Sequence, residues 1–410
     1  MSAADPGGAS AAPSMLPVWP VLAATTTTQS LTTLSALALS AVAPKAAADL
    51  GIGPALVGYQ VSLVYGGAVI TSLIGGGFVA RLGATRTSQI ALWLAAAGCL
   101  LSAIGTLPTL ALGALVIGLG YGCTNPGASH LLARTDSGGH MNLIFSIKQC
   151  GVPIGGMLAG LLIPPITLAF SWRAGLATVA ALALLVSAAL MAYRRNWDAD
   201  RQRTARLFVS PLAGLRLIWR HPILRWLALC SFAFSAVQLS LVSLLVTYLV
   251  TEVQIDLVTA GGLLAIAQVA GASGRLGWGW LADRLRSGSK AMILNGLLAA
   301  AAAVATAFVT GGWPWLGIAA AVALFGFCAI GWNGVFMAVI ARQAPRDSIG
   351  LATGATLSIT FAGVVVGPSG FAALHDGIGL TYASGYLLMA AITLVGVWCM
   401  VQARKGIPPR

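Results

Sequence analysis

The sequence predicts an all-α polytopic membrane protein, with twelve transmembrane helices in two pseudo-symmetric six-helix bundles. Three observations carry this. Apolar residues make up 58% of the 410 and only 8% are charged, whereas a soluble chain carries roughly 25% charged residues. Twelve stretches reach the roughly 20 apolar residues that a spanning helix needs. The cations gather in alternate connections, the pattern of a multi-pass chain.

Residues 1–16 are small and polar, with no basic region ahead of an apolar one. They read as a disordered cytoplasmic tail, not a signal peptide. The first bundle, 17–193, holds segments 1 to 6 at 17–43, 54–80, 87–106, 108–133, 141–166 and 172–193. A polar linker, 194–221, follows. The second bundle, 222–401, holds segments 7 to 12 at 222–250, 257–282, 290–310, 314–340, 347–374 and 380–401, and 402–410 is a cytoplasmic tail. Glycine is frequent inside the segments, as close helix packing in lipid requires. Trp172, Trp313 and Trp315 lie at segment ends and read as interface anchors.

With the N-terminus inside, Arg81 and Arg86 follow segment 2 and Arg134 follows segment 4. The linker region holds Arg194, Arg195, Arg201, Arg203, Arg206, Arg216, Arg220 and Arg225. Arg284, Arg286 and Lys290 follow segment 8, Arg342 and Arg346 segment 10, and Arg404, Lys405 and Arg410 end the chain. That puts 19 of 23 cations on one side. The other side has Lys45 and Arg173, with Asp49, Glu252, Asp256 and Asp376. The asymmetry predicts both termini in the cytoplasm and a place in the inner membrane. It also accounts for the net charge of +13 without any nucleic acid. The six cysteines sit in apolar runs with no CxxC pair and no histidine–cysteine cluster, so neither disulfides nor a metal site is expected, and no cofactor is expected.

The two halves resemble one another. Gln29 corresponds to Gln238, and Asn125 to Asn333. Gly151–Pro153 in segment 5 matches Gly367–Pro368 in segment 11. Two six-helix repeats around a hinge loop are a transporter architecture, with the substrate site between them near the midplane.

The connection after segment 2 reads Gly76-Gly77-Phe78-Val79-Ala80-Arg81-Leu82-Gly83-Ala84-Thr85-Arg86. A second copy, Gly279-Trp280-Leu281-Ala282-Asp283-Arg284, lies after segment 8. On these motifs the chain resembles the major facilitator superfamily over essentially its whole length. The resemblance implies that Arg81, Gly83, Asp283 and Arg284 belong to the gating loops. Ala80 stands where the family has an aspartate, which puts the first-half latch in doubt. Gly151–Gly156 resembles part of an antiporter Gly-Pro motif, and reads here as a glycine-lined packing seam with a kink.

Ionisable side chains in spanning segments are costly and usually functional. Arg275 lies roughly 12 Å inside segment 8, too deep for easy snorkelling. Gln268, seven residues earlier, shares its face. The run Gly274-Arg275-Leu276 ahead of Asp283-Arg284 resembles the monocarboxylate and oxalate/formate branches, and the resemblance implies that Arg275 binds a substrate carboxylate. A planar guanidinium fork suits that group. Lys148 in segment 5 is the second candidate, facing the cavity or snorkelling to the membrane surface. His130, near Arg134, is the candidate for proton coupling. Gln29, Tyr65, Tyr121, Asn125, Gln238, Trp332 and Asn333 are expected to complete the site, because segments 1, 4, 7 and 10 line the cavity in this superfamily. Each is equally suited to a helix–helix hydrogen bond.

All ten Asp and Glu residues fall in tails, loops or helix ends. A cavity with cations and no acid attracts an anion. The expected function is therefore secondary active or facilitative transport of a small organic anion by a monomer, with the bilayer and the anionic solute as its partners and protons as an open co-substrate. An amphipathic-drug antiporter and an inorganic-anion carrier of the nitrate or cyanate kind stay open. Neither a nucleophile–base pair nor a phosphate-binding loop is present to suggest an enzyme, and there is no added soluble domain to suggest a receptor.

Overall fold

The structure is a computed structural model describing residues 15–135, 141–202, 204, 212–344 and 349–406. Residues 1–14 of the expected N-terminal tail lie outside these residues, as do Arg203, Arg206, Arg346 and Arg410, whereas 402–405 of the expected C-terminal tail continue the last helix. The chain is a bundle of helices: α1 (Val18–Leu37), α2 (Ala43–Leu50), α3 (Val57–Leu82), α4 (Ala84–Ala103), α5 (Leu107–Ala133), α6 (Met141–Gln149), α7 (Gly151–Ala169), α8 (Trp172–Leu190), α9 (Arg194–Trp197), α10 (Leu212–Arg220), α11 (Pro222–Thr251), α12 (Leu257–Arg284), α13 (Gly288–Ala307), α14 (Trp315–Ala329), α15 (Asn333–Gln343), α16 (Ile349–Ile378) and α17 (Tyr382–Lys405). Among the described residues, ten spans are long and apolar enough to cross a membrane singly, and a bent pair at the start of the chain makes an eleventh. The twelfth is α4, whose first turns (Thr85, Arg86, Thr87, Ser88, Gln89) lower its hydropathy, and which packs against α5 and α8.

Three expected continuous segments are bent or broken. Segment 1 ends as α1 at Leu37, bends by 45°, and runs on as α2 to Leu50. Pro44 near the start of α2 has no N–H for the preceding turn. Segment 5 breaks at Cys150, between α6 and α7. Pro153 cannot donate to the carbonyl of Gln149, four residues back, so that carbonyl is left free. Segment 10 breaks over 330–332, between α14 and α15, where Gly331 packs directly on the backbone of Gly274. The freed carbonyls find side chains: Phe327 accepts from Trp278 Nε1 at 3.1 Å and Cys328 from Asn295 Nδ2 at 3.1 Å.

The two halves meet most closely away from the face that carries the termini. A methyl at Gly58 would strike the carbonyl of Pro368, and one at Gly160 that of Gly261. Ser62 Oγ donates to the carbonyl of Val365 at 2.5 Å. The far end of segment 1 is buried continuously from Leu31 to Ala43, while Gln149 and Gly334, nearer the other face, are exposed. The bundle is thus closed at its far face.

On the terminal face the linker is tied to the first half. Asp198 accepts from the backbone N–H groups of Thr85 at 2.7 Å and Arg86 at 3.1 Å, at the N-terminus of α4 where the helix dipole favours a carboxylate. Asp200 accepts from Arg134 Nη1 and pairs with His130 Nε2, both at 2.6 Å. The carboxylate that Ala80 lacks is in effect delivered by the linker. Residue 16, expected in a disordered tail, is also held, since Leu16 N–H donates to the carbonyl of Arg134 at 2.9 Å. Trp172 is no interface anchor. It is wholly buried, with the Arg173 guanidinium 4.5 Å over its ring; Trp313 and Trp315 are exposed.

Gly83 has φ +101°, and a side chain there would run into the Asp198 carboxylate. Gly83→Ala is expected to cost about 2 kcal/mol or more, from left-handed strain and loss of the Asp198 cap. Thermal unfolding in detergent reads this, and an unchanged Tm would refute it.

Candidate functional site

The polar core lies where the broken segments meet α12. Lys148, one residue before the end of α6, is 2% exposed. Its ammonium does not snorkel. It donates to Gln29 Oε1 at 3.1 Å, to Asn125 Oδ1 through a short contact, and to Gln149 Oε1 at 3.4 Å. Thr124 Oγ1 also donates to Gln29 Oε1, at 3.2 Å. Three spanning segments of the first half thus converge on one cation.

Arg275 reaches the same place from the second half. Its Nη1 donates to the freed Gln149 carbonyl at 2.7 Å, and its Nε is buried without an acceptor. Arg275 and Lys148 act on each other electrostatically. Among the described residues, every ion pair lies elsewhere: Lys45 with Asp49, and His130 and Arg134 with Asp200. Buried Lys148 and half-buried Arg275 are therefore held, among the described residues, by neutral oxygens.

The second half repeats the amide pattern without the cation. Gln238 Oε1 accepts from Trp332 Nε1 at 2.9 Å and from Asn333 Nδ2 at 3.1 Å. In each half the glutamine oxygen of the first segment accepts from the fourth segment. Where the first half adds Lys148, the second adds an indole. Trp332 is 1% exposed and packs edge-on against Phe234 and Phe336, with ring centres 5.6 Å and 5.2 Å away.

Tyr65 and Tyr121 lie together with ring centres 5.3 Å apart, and Tyr65 reaches Phe361 of the second half at 6.1 Å. Gln268 is buried against Gly156, two helical turns from Arg275 in the α7–α12 seam. His130 is not brought to this core; it stands on the terminal face with Asp200. Gly83 is beneath Asp198. Arg81 and Asp283 are exposed, and Arg284 lies 5.4 Å over the Trp280 ring. Sequence reasoning missed Gln149, Thr124, Asp198 and Asp200. Gln149 had a signal, since it lies four residues before Pro153.

This fold is a familiar one. The sequence matches the Major Facilitator Superfamily over residues 25–368. The chain belongs to that superfamily. It is 30% identical over 237 residues to a Mycobacterium tuberculosis protein described as "Probable nitrate/nitrite transporter NarK2". That match spans 57% of this chain and 56% of the relative, little more than half of either. Solved structures agree over nearly the whole length at 16% identity. A mutant of the nucleoside transporter NupG has a TM-score of 0.75 and covers 93% of this chain and 99% of its own. A bacterial homologue of the lysosomal transporter Spinster, described as inward-facing and occupied, has 0.72, with 95% and 97% covered. A mutant of the peptide transporter POT in complex with sulfate has 0.75, with 94% of each chain covered. At this identity the structural likeness speaks for the fold. The protein is a multi-pass membrane protein of this superfamily.

Gln238→Ala leaves the Trp332 indole and the Asn333 amide without their shared acceptor. The expected cost is about 1–3 kcal/mol, seen as a lower Tm, and Trp332→Phe in that background is expected to restore part of it.

Proposed function

We propose that this transporter carries a small anion by alternating access, and that Arg275 and Lys148 bind its charged end. The observation that supports this is a buried Lys148 and a half-buried Arg275, both held by neutral amide oxygens among the described residues. Burying a charge without a counter-charge is expensive. An oxyanion arriving between them supplies that charge and takes stronger, charge-assisted hydrogen bonds. The guanidinium fork suits a planar oxyanion, and the unpartnered Nε of Arg275 is one donor free to meet it. A small carboxylate is our first reading, in keeping with the resemblance of the Arg275 segment to the monocarboxylate and oxalate/formate branches. Nitrate or nitrite is the second, favoured by the relative's description.

Both termini are taken to lie in the cytoplasm, on the basic side. The state closed at the far face is then inward-open, ready to exchange solute with the cytoplasm. Rocking of the halves about the site opens the other side. No carboxylate of the described residues lies among the central groups to carry a proton, so exchange, uniport or uptake of a protonated acid fits better than proton relay through an acidic side chain.

Uptake of labelled formate, oxalate and nitrate into proteoliposomes tests this. Arg275→Ala is expected to lower uptake about 30-fold or more, corresponding to about 2 kcal/mol or more. Arg275→Lys, which keeps the charge and loses the fork, should fall between. Wild-type uptake by Arg275→Ala would defeat the proposal. Cross-inhibition decides between the readings: carboxylates should suppress nitrate entry under the first, and have no effect under the second.

A further inference from the structure

Both central cations, buried Lys148 and half-buried Arg275, touch one residue, Gln149. Arg275 Nη1 takes its main-chain carbonyl at 2.7 Å and Lys148 Nζ its side-chain Oε1 at 3.4 Å. Gln149 is exposed, although Lys148 beside it is buried. It closes α6 at the break, and its carbonyl is free because Pro153 has no N–H to return to it. The chain therefore offers two oxygen acceptors from one residue to two cations, at an exposed position.

We infer that Gln149 is a built-in stand-in for the transported anion. Its two oxygens occupy the cations while the site is empty, and an incoming oxyanion displaces them. This rests on the anion-transport reading above and adds its regulation. A neutral amide oxygen is a weaker acceptor than a charged one, so the stand-in yields to substrate yet spares the cations an unpaired state. The exchange also has a mechanical result. The Arg275–Gln149 bond ties α12 of the second half to the break in segment 5 of the first. An anion that takes the guanidinium releases the tie, so its binding differs between the tied and the free arrangement. Only such a difference lets a ligand shift a conformational equilibrium.

The stand-in sets a selectivity rule. Neutral solutes with amide or hydroxyl oxygens offer nothing that Gln149 does not already supply, and are excluded. Oxyanions pass because they offer charge.

The test uses the purified full chain in detergent and follows Tm as sodium formate, oxalate or nitrate is titrated at constant ionic strength. Gln149→Glu places a carboxylate at the stand-in position. Its ligand-free Tm is expected to rise, and its apparent anion affinity to fall at least tenfold, as about 1.4 kcal/mol or more of internal competition requires. Gln149→Ala removes the Oε1 acceptor from Lys148 and is expected to bind anions about fivefold more tightly, the worth of one long hydrogen bond. If wild-type protein responds to anions and both variants match it in Tm and affinity, the stand-in role is overturned while the transport reading stands. If wild-type protein shows no anion response, the transport reading falls; a raised Tm in Gln149→Glu would still mark the position as an anion seat, and an unchanged one would overturn both.

Discussion

The bond from the Arg275 guanidinium to the Gln149 carbonyl is the contact on which the centre of this molecule depends. It exists because a proline four residues downstream deprives a membrane-embedded carbonyl of its helical partner. Within a membrane protein, irregular backbone survives only where protein or a wet cavity satisfies it. Arg275 meets that need from the opposite half. The same helix, α12, also caps the break in segment 10 through Trp278. One helix thus stabilises a break in each half, and the breaks bring the polar residues to one level.

Around this contact the two halves arrange the same amides for different ends. Gln29 and Asn125 hold an ammonium in the first half. Gln238 and Asn333 close on an indole in the second. The internal repeat therefore survives as geometry even where its chemistry has diverged. The first half carries a cation at this position, and the second a buried indole packed on Phe234 and Phe336.

The surface facing the linker follows a related logic. Where the loop after segment 2 lacks its aspartate, Asp198 of the linker caps α4, and Asp200 gathers His130 and Arg134. Acidic residues are scarce in this chain, and these two are spent on anchoring the hinge to the first half. His130 is thereby engaged at the surface, and among the described residues the hydrogen-bond partners of the central cations include neither a carboxylate nor a histidine.

The sequence by itself determined the membrane class, the two six-helix halves and the exceptional depth of Arg275. These follow from hydropathy, charge asymmetry and segment length, all local quantities that need no knowledge of neighbours. It also picked out Gln29, Asn125, Gln238 and Asn333 as matched pairs, since a repeat leaves a trace at fixed spacing. Only the tertiary structure decided what these residues touch. Lys148 could have snorkelled, and packing of α1 and α5 around it buried it instead. Gln149 looked like an ordinary helical glutamine until the break exposed its carbonyl and α12 supplied the arginine. Asp198 and Asp200 read as solvated linker charges until the linker folded back on α4 and α5. In each case the deciding term was a long-range contact between elements far apart along the chain, which periodicity and composition do not encode.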